Sequence, residues 1–262
     1  MVFSIDFTGK NYIVTGGNRG IGLAITRSIV SAGGNVAILY RSSASAPQVA
    51  EGLEKDFPGV KVKAYQCDVT DQKRVGEVFR IVGEEFVGGI VHGVVANAGV
   101  AIVRDALEIG QEEFDCMYPS ACRDLSYHAD LVLLSSSHVQ DERTGCILHS
   151  ASSGENMDRK GVQARQVFYN SSKAAVSSMS KALAAEWAPH GIRVNIVSPG
   201  YVATEQSGVH PKDVREFQSA SVPLGRYSEP AEQTPQVLLL LSEVSSYQTG
   251  SEVFVDGGYL IW

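Results

Sequence analysis

Cysteine is scarce in this sequence of 262 residues, which holds only Cys67, Cys116, Cys122 and Cys146. None of them forms a C-x-x-C pair, and a chain of this length can build its core without disulfides. We therefore expect free thiols in a reducing compartment. The histidines near these cysteines match no familiar metal-ligand spacing, so the sequence predicts no metal site.

Positive charge is also in short supply, because 22 Lys and Arg against 29 Asp and Glu leave a net charge of −7. A negative chain without a basic cluster argues against nucleic acid as a partner. No apolar run approaches the roughly 18 residues that cross a bilayer, and the first residues lack the pattern of a secretory leader. We expect a cytoplasmic protein that acts on a small molecule, with neither nucleic acid nor membrane as a partner.

Buried-strand patterns alternate with helical patterns along most of the chain. Strands are predicted at residues 11–15, 36–39, 60–66, 90–96, 146–151, 192–197 and 252–255. Helices are predicted after the turn at residues 16–22, at 47–57, 71–86 and 166–187, and within 229–242. This alternation predicts an α/β fold, a Rossmann-type doubly wound parallel sheet of about seven strands with helices on both faces.

No internal repeat or linker interrupts this alternation. We therefore expect a single domain over residues 1–262, with a cofactor half at about 1–145 and a catalytic half at about 146–262. The rhythm fails only between Phe114 and Gly145. Pro119 lies there where a long helix is expected, and proline breaks helix interiors. Residues 116–144 are left without an assigned structure.

A glycine-rich turn, T-G-G-N-R-G-I-G at residues 15–22, closes the first predicted strand and opens the first helix. Glycine permits the tight turn and lets the backbone approach a phosphate, while the helix N-terminus offers free N–H groups. The strand–turn–helix context favours a dinucleotide site over a merely structural turn. The candidate phosphate-binding residues are Gly16, Asn18, Arg19, Gly20, Ile21 and Gly22.

The end of the second strand indicates which dinucleotide binds. An acidic residue there would bond the ribose 2′-OH of NAD, but the sequence reads Tyr40, Arg41, Ser42 and Ser43. Arg41 can pair with a 2′-phosphate in bidentate fashion, with Ser42 beside it and Arg19 as a second cation. A solvated loop arginine is the alternative for Arg41 taken alone. We predict NADP(H) rather than NAD as the cofactor.

Two later strand ends add candidates for the same ligand. Asp68, followed by Val69, comes after the third strand, where a carboxylate can reach the adenine amino group. Asn97, Ala98 and Gly99 end the fourth strand, where a ligand lies across the carboxyl ends of the strands. Each of these stretches is also a common turn sequence.

Tyr169 and Lys173 are four residues apart in a helical pattern, so their side chains should lie on one face of a helix. A tyrosine has a reference pKa of about 10, and a neighbouring cation favours the phenolate and lowers that pKa. The pair therefore predicts a proton donor and acceptor at a carbon–oxygen bond. The alternative is a packed tyrosine beside a solvated lysine.

Together these motifs resemble the short-chain dehydrogenase/reductase family. The likeness runs from the glycine turn through N-A-G at residues 97–99 and Y-N-S-S-K at 169–173 to S-P-G-Y-V-A-T at 198–204 and D-G-G at 256–258. Within that family, the stretches Q-V-F-Y-N-S-S-K-A-A and L-A-A-E-W-A look like those of fungal NADP-dependent mannitol 2-dehydrogenases.

The resemblance implies a role for each matched position. Tyr169 would be the general acid in carbonyl reduction and the base in alcohol oxidation, and Lys173 would hold the nicotinamide ribose. Ser152 would orient the substrate carbonyl, with Ser150 and Ser153 as the alternatives. The residues over the nicotinamide would be Pro199, Gly200, Val202 and Thr204. The family also implies a homo-oligomer, a dimer or tetramer.

The sequence departs from the family in the stretch that contains Pro119. Ala121 stands where the family usually has an asparagine that helps to hold a water for proton relay. The helix of that stretch also forms much of the family's dimer interface. The departure puts both the relay and the usual assembly in question.

The resemblance implies an NADP(H)-dependent enzyme that reduces a ketose or ketone to a secondary alcohol, with D-fructose and D-mannitol as the preferred pair. One alternative is a reductase of the same fold for another polyol or a secondary-metabolite ketone. Another is a nucleotide-binding protein with weak or no catalysis, because residues 116–144 are atypical. Substrate choice would lie in loops at residues 100–105, 153–168 and 205–225.

Overall fold

The computed structural model describes residues 4–100, 102, 105, 107–115, 145–150, 167–208 and 210–261. The strands are β1 (Asn11–Thr15), β2 (Asn35–Tyr40), β3 (Val62–Gln66), β4 (Gly93–Ala96), β5 (Gly145–Ser150), β6 (Ile192–Pro199) and β7 (Glu252–Val255). The described residues form one seven-stranded sheet in the order β3-β2-β1-β4-β5-β6-β7, and every neighbouring pair is parallel. The predicted doubly wound parallel sheet is confirmed.

Seven α-helices are found in the described part of the chain. They are α1 (Gly20–Ser31), α2 (Ala46–Asp56), α3 (Gln72–Glu85), α4 (Val167–Trp187), α5 (Glu205–Gly208), α6 (Lys212–Ser221) and α7 (Thr234–Leu241). Residues 111–115 add a further helical turn. Among the described residues, no helix is both long and apolar enough to span a bilayer.

Helices cover both faces of the sheet because successive strand side chains point to opposite faces. Ile13 of β1 belongs to a buried cluster with Phe79 of α3 and Trp187 of α4. Val14 belongs to a second cluster on the other face, with Ile29 of α1 and side chains of α7. Each such side chain contributes about 1.5–3 kcal/mol when fully buried, so the two clusters fix the sheet between its helix layers.

A buried arginine attaches α7 to the sheet. The guanidinium of Arg193, in β6, donates to the backbone carbonyls of Leu240 at 2.7 Å and Ser242 at 3.1 Å. It also donates to the carbonyl of Gln248 at 3.1 Å. The last carbonyls of a helix lack partners within the helix and carry partial negative charge. Arg193 therefore satisfies the end of α7 without a carboxylate partner.

The structure differs from the sequence predictions mainly in polar segments. The helices α5 and α6 were not predicted. The helix α5 has only four residues, and α6 is mostly polar and buries only Gln218. The helix predicted within residues 229–242 is α7, which begins at Thr234 with Pro235 in its first turn. The Thr234 hydroxyl donates to the carbonyl of Ala231, inside a preceding 3-10 turn.

The amino ends of four strands are joined by buried polar side chains. Asn11 donates from Nδ2 to the carbonyl of Ile90 at 2.9 Å, and its Oδ1 accepts from Asn35 Nδ2 at 2.9 Å. Asn35 in turn accepts from the backbone N–H of Lys61 at 2.8 Å. On the other side of Asn11, its backbone N–H donates to His92 Nδ1 at 3.0 Å. These bonds fix the positions of the strands at the edge away from the glycine turn.

His92 predicts an acid-sensitive contribution to stability. Burial and the nearby Lys10 ammonium hold the pKa of His92 below its ordinary value, and its Nδ1 must stay unprotonated to accept from Asn11. As pH falls, His92 therefore takes up a proton in the unfolded chain before it does so in the folded protein. The stabilisation that unprotonated His92 contributes is complete above the unfolded pKa and is lost as pH falls below it. We expect His92→Ala to destabilise the protein more at about pH 8 than at about pH 5.5 in urea titrations. An equal loss at both pH values would show that His92 contributes no such linkage.

Candidate active site

A cavity of about 620 Å³ lies at the carboxyl ends of β1 to β4. Volumes of roughly 300–1,000 Å³ are usual for small-molecule and cofactor sites. The predicted residues that line it are Gly16, Asn18, Arg19, Gly20, Ile21, Gly22, Arg41, Ser42, Asp68, Val69, Asn97, Ala98, Gly99, Tyr169, Lys173 and Thr204. The cavity lies where the strand order reverses, which is the place where doubly wound sheets bind ligands.

The glycine turn makes a cradle that side chains would fill. Gly16 and Gly20 have φ values of +64° and +53°, which glycine adopts without strain. A Cβ on Gly22 would lie 2.3 Å from the carbonyl oxygen of Gly16, closer than atoms can approach. The N-cap residue of α1 is Arg19, and its side chain accepts no hydrogen bond from the first N–H groups of the helix. Those N–H groups are therefore not capped by that side chain. The residues present fit the phosphates of a dinucleotide.

Thr15 joins the glycine turn to the end of β4. Its hydroxyl oxygen accepts from the backbone N–H groups of Asn97 at 3.0 Å and Ala98 at 2.8 Å. Asn97 returns a bond from Nδ2 to the carbonyl of Thr15 at 2.9 Å. The same amide nitrogen lies 3.1 Å from where a Cβ on Gly16 would be. The Asn97 side chain therefore supports the turn as well as lining the cavity.

Two arginines bring positive charge to the edge of the cavity, Arg41 after β2 and Arg19 before α1. Arg41 and Arg19 both line the cavity and are exposed, and neither guanidinium makes an ion pair or hydrogen bond with the described residues. The backbone at Arg41 is held by Gln66, whose Nε2 donates to its carbonyl at 3.0 Å. Two available guanidinium groups at this edge suit a phosphate better than a ribose hydroxyl.

Asp68 is partly engaged by its own turn. Its Oδ1 accepts from the backbone N–H of Thr70 at 2.9 Å and from the Thr70 hydroxyl at 2.7 Å. Both contacts are local, and they orient the carboxylate at the edge of the cavity. The predicted contact with adenine would have to use the other oxygen.

Tyr169 and Lys173 lie together on α4 and both reach the cavity. The Lys173 ammonium is 5.6 Å from the centroid of the Tyr169 ring, and the lysine is only 5% exposed. A Cβ built on Gly99 would be 3.5 Å from the same ammonium nitrogen. The alternative of a solvated lysine is therefore wrong. Burial of an ammonium beside a phenol at a cavity wall suits acid–base chemistry.

The sequence is similar to a family model described as enoyl-(acyl carrier protein) reductase, which matches residues 16–260. The chain belongs to the short-chain dehydrogenase/reductase family. A sorbose reductase of Candida albicans is 37% identical over 96% of this chain and 87% of its own length. An NADP-dependent mannitol dehydrogenase of Aureobasidium melanogenum is 31% identical over 97% of this chain and 94% of its own.

A solved short-chain dehydrogenase/reductase structure has the same fold throughout. It is the L-sorbose reductase of Gluconobacter frateurii, complexed with NADPH and L-sorbose. It aligns with a TM-score of 0.87 and 26% identity over 98% of this chain and 99% of that chain. The similarity therefore extends over nearly the whole of both chains.

The loop after β6 brings one of its four predicted residues to the cavity. Thr204 lines the cavity and forms a reciprocal pair with Ser207, whose Oγ accepts from the Thr204 N–H at 2.8 Å. Pro199 ends β6, Gly200 packs against Asp256, and Val202 is buried, and none of the three lines the cavity. Their predicted contacts with the cofactor stay predictions.

Several residues of the prediction lie outside the described part of this short-chain dehydrogenase/reductase. They are Ser152 and its alternative Ser153, Ala121, and the rest of residues 116–144 and 151–166. Ser150 is the last residue of β5 and pairs in register with Val197 of β6.

Several residues that line the cavity were not predicted as site residues. They are Leu39, Tyr40, Ser43, Cys67, Thr70, Val100, Asp115, Glu205 and Gln206. Most follow a strand end directly, and that position was a usable signal. Glu205 and Gln206 lie in the loop at residues 205–225 that was expected to govern substrate choice, but α5, which they begin, has no apolar pattern and was not predicted.

Gly22→Ala tests the cradle. The new Cβ would displace the Gly16 carbonyl, and overpacking of this kind costs about 1–3 kcal/mol. We expect dinucleotide affinity, measured by fluorescence titration, to fall about tenfold or more. Gly52→Ala on α2 is the matched control, because nothing lies within 4 Å of its Cβ position. The control should bind as the wild type does and be equally or more stable. Equal affinity in both variants would contradict the cradle.

Proposed function

We propose that this chain is an NADP(H)-dependent reductase of ketoses or related ketones, which also oxidises the corresponding secondary alcohols. The observation that carries the proposal is the Tyr169–Lys173 pair on α4, which lines the same cavity as the glycine cradle. The sorbose reductase and mannitol dehydrogenase relatives support the substrate class. The NADPH in the related sorbose reductase structure supports the cofactor.

In this proposal the protein supplies a proton and an orientation, and the bound dinucleotide supplies or accepts the hydride. The Tyr169 phenol donates its proton to the carbonyl oxygen as charge develops there, and it takes the proton back in alcohol oxidation. The Lys173 ammonium near its ring stabilises the phenolate that remains. Ser152 would donate a second hydrogen bond to the same carbonyl oxygen.

The cofactor would lie across the strand ends in a fixed direction. The N–H groups at the start of α1, with the glycine turn, would hold its phosphates. Arg41 and Arg19 would hold the 2′-phosphate, supported by Ser42. Asp68 and Val69 would lie at the adenine, and Asn97, Ala98 and Gly99 would lie along the ribose towards Lys173.

D-fructose and D-mannitol are the proposed substrate and product. The similarity to sorbose reductases favours L-sorbose as a second candidate of the same chemical class. D-fructose and L-sorbose are both ketohexoses, so the acid–base pair would act on the same kind of carbonyl group in each. The choice between them would depend on residues such as Glu205 and Gln206, which line the cavity beside Thr204. Family membership also supports a single domain that assembles as a dimer or tetramer in the cytoplasm.

Turnover of a sugar panel tests the reaction. We expect NADPH oxidation with D-fructose or L-sorbose, and far less with NADH. Tyr169→Phe should lower kcat about 10²–10⁴-fold, because it removes the proton donor while leaving the ring in place. NADPH affinity of that variant should stay near the wild-type value. Phe168→Tyr/Tyr169→Phe, which moves the hydroxyl by one residue, should not restore activity.

The outcomes of this panel separate the candidate functions. Turnover of other ketones but not ketohexoses would move the assignment to another reductase substrate. NADPH binding without turnover of any carbonyl compound would favour a nucleotide-binding protein, the alternative raised by Ala121. A fully active Tyr169→Phe variant would refute the role of Tyr169.

Arg41→Asp tests the preference for NADP. The substitution removes a cation and places a carboxylate where the 2′-phosphate would lie, so like charges would repel. We expect NADPH affinity to fall at least about 100-fold while NADH affinity changes little or improves. Arg80→Asp is the control, because it makes the same charge change on α3 at an exposed ion pair that contributes little. An equal loss for both cofactors would remove Arg41 from the 2′-phosphate site.

A further inference from the structure

Glu252 occupies an unusual place for a carboxylate. It begins β7, the edge strand of the sheet, but its side chain is only 17% exposed. One oxygen, Oε1, accepts two hydroxyl donors: Ser198 Oγ at 2.8 Å and Ser177 Oγ at 3.1 Å. The other oxygen, Oε2, lies 3.8 Å from Lys181 Nζ. A carboxylate at a sheet edge usually faces solvent, and this one faces two side chains distant in sequence.

One serine lies on the helix of the proposed acid–base pair, and the other lies in the strand that leads to the loop beside the cavity. Ser177 lies one turn after Lys173 on α4, and residues four apart share a face of a helix. Ser198 is fully buried in β6, directly before Pro199 and the loop that leads to Thr204. One carboxylate oxygen therefore joins the acid–base helix to the strand whose end begins the loop beside the cofactor cavity.

The ion pair does not explain the burial of Glu252. Lys181 is 58% exposed and its nitrogen is 3.8 Å away, so solvent screens the attraction. The hydroxyl bonds are shorter and less exposed, and a carboxylate accepts such bonds strongly. The backbone of Glu252 is fixed in the parallel ladder with Ile196. The carboxylate thus extends from a rigid strand, which suits a group that sets the distance between neighbours.

We propose that Glu252 is a positioning residue that holds α4 and the end of β6 at the separation the reaction requires. The proposal rests on the function proposed above for Tyr169 and Lys173. Without the shared acceptor, α4 would keep its apolar packing on the sheet but lose the hydrogen bond one turn after Lys173, and a small displacement of the phenol relative to the cofactor would follow. A displacement of about 1 Å at a reacting group costs up to about 100-fold in rate.

The test compares two substitutions of Glu252 with single substitutions of its partners. Glu252→Ala should lower kcat at least about tenfold, with a smaller change in the KM for the ketose. Glu252→Gln keeps an acceptor oxygen in the same place and should recover activity to within about threefold of wild type. Ser177→Ala should lower kcat with little change in NADPH affinity, because it releases α4 alone. Ser198→Ala should weaken NADPH binding, because it releases the end of β6.

The remaining variants check that the effect passes through the shared oxygen. The double variant Ser177→Ala/Glu252→Ala should have the same kcat as Glu252→Ala alone, because both substitutions remove the same Ser177–Glu252 hydrogen bond. Lys181→Ala is the matched control and should leave kcat and NADPH affinity unchanged. Glu252→Gln and Ser177→Ala retain most of the local packing, so they test the proposal even where Glu252→Ala does not fold.

Three results would overturn the positioning role. One is a Glu252→Ala variant with a lowered melting temperature but wild-type kcat and NADPH affinity, which would mean a purely structural bond. Another is a Glu252→Gln variant as impaired as Glu252→Ala. The third is a binding result, used if the wild-type chain turns over no carbonyl compound and the proposed function fails. In that case, equal NADPH affinity in the wild type, Ser198→Ala and Glu252→Ala would refute the link to β6.

Discussion

The Thr15 side chain is the contact on which both ends of the cavity depend. Its hydroxyl has no exposure to solvent and accepts from two backbone N–H groups in the segment after β4. That segment begins with Asn97, whose amide supports the turn at Gly16, and ends with Gly99, which faces Lys173. One buried hydroxyl thus connects the glycine turn to the surroundings of Lys173 through neighbouring residues.

The close approach at this junction also explains why small residues recur there. A Cβ at Gly22 would meet the Gly16 carbonyl at 2.3 Å and the Asn97 amide at 2.6 Å. Both atoms are held in place by Thr15 and the strands, so neither can move away easily. The packing of the turn against Asn97 and the strands therefore requires glycine by itself. The proposed phosphate site would impose the same constraint on this stretch.

The amino and carboxyl ends of the strands, here called the amino edge and the carboxyl edge, differ in how many of their polar groups are bonded. At the amino edge, Asn11, Asn35 and His92 satisfy one another in buried hydrogen bonds. At the carboxyl edge, the guanidinium groups of Arg19 and Arg41 make no hydrogen bond or ion pair with described residues, and the start of α1 has no side-chain cap. Binding sites need groups available for a ligand, and such groups do not stabilise the free protein. The bonded amino edge and the two core clusters supply the stability that the open edge lacks.

Much of this architecture could be predicted from the sequence because it depends on local apolar patterns. The bounds of β1 and β7 match the prediction, since each strand is a short apolar run between turn residues. The glycine turn carries its own signal, because four glycines within residues 16–22 are unusual at the junction of a strand and a helix. Asp68 and the residues after it have a common turn sequence, because an aspartate carboxylate often accepts from the backbone N–H two residues later, here that of Thr70.

The rest could not be predicted because it depends on contacts between distant parts of the chain. The helix α6 is a short, mostly polar segment that buries only Gln218, so its few apolar residues gave a weak signal. Glu252 reads as an ordinary alternating residue of an edge strand. Its partners lie 75 and 54 residues earlier in the sequence, and no local pattern links them. Only the register of β6 with β7, together with the docking of α4, brings the three side chains together.

Tyr169 and Lys173 illustrate the same division between local and long-range information. The spacing of four places both side chains on one face of α4, but many helices carry that pair in solvent. What distinguishes this pair is the burial of Lys173 against Gly99. Burying an ammonium is costly without compensating contacts, so a position that retains one must have such contacts around it. Gly99 is one neighbour of the ammonium, and it lies in the segment after β4 that Thr15 holds in place. The burial of Lys173 therefore depends on the end of β4 as well as on α4.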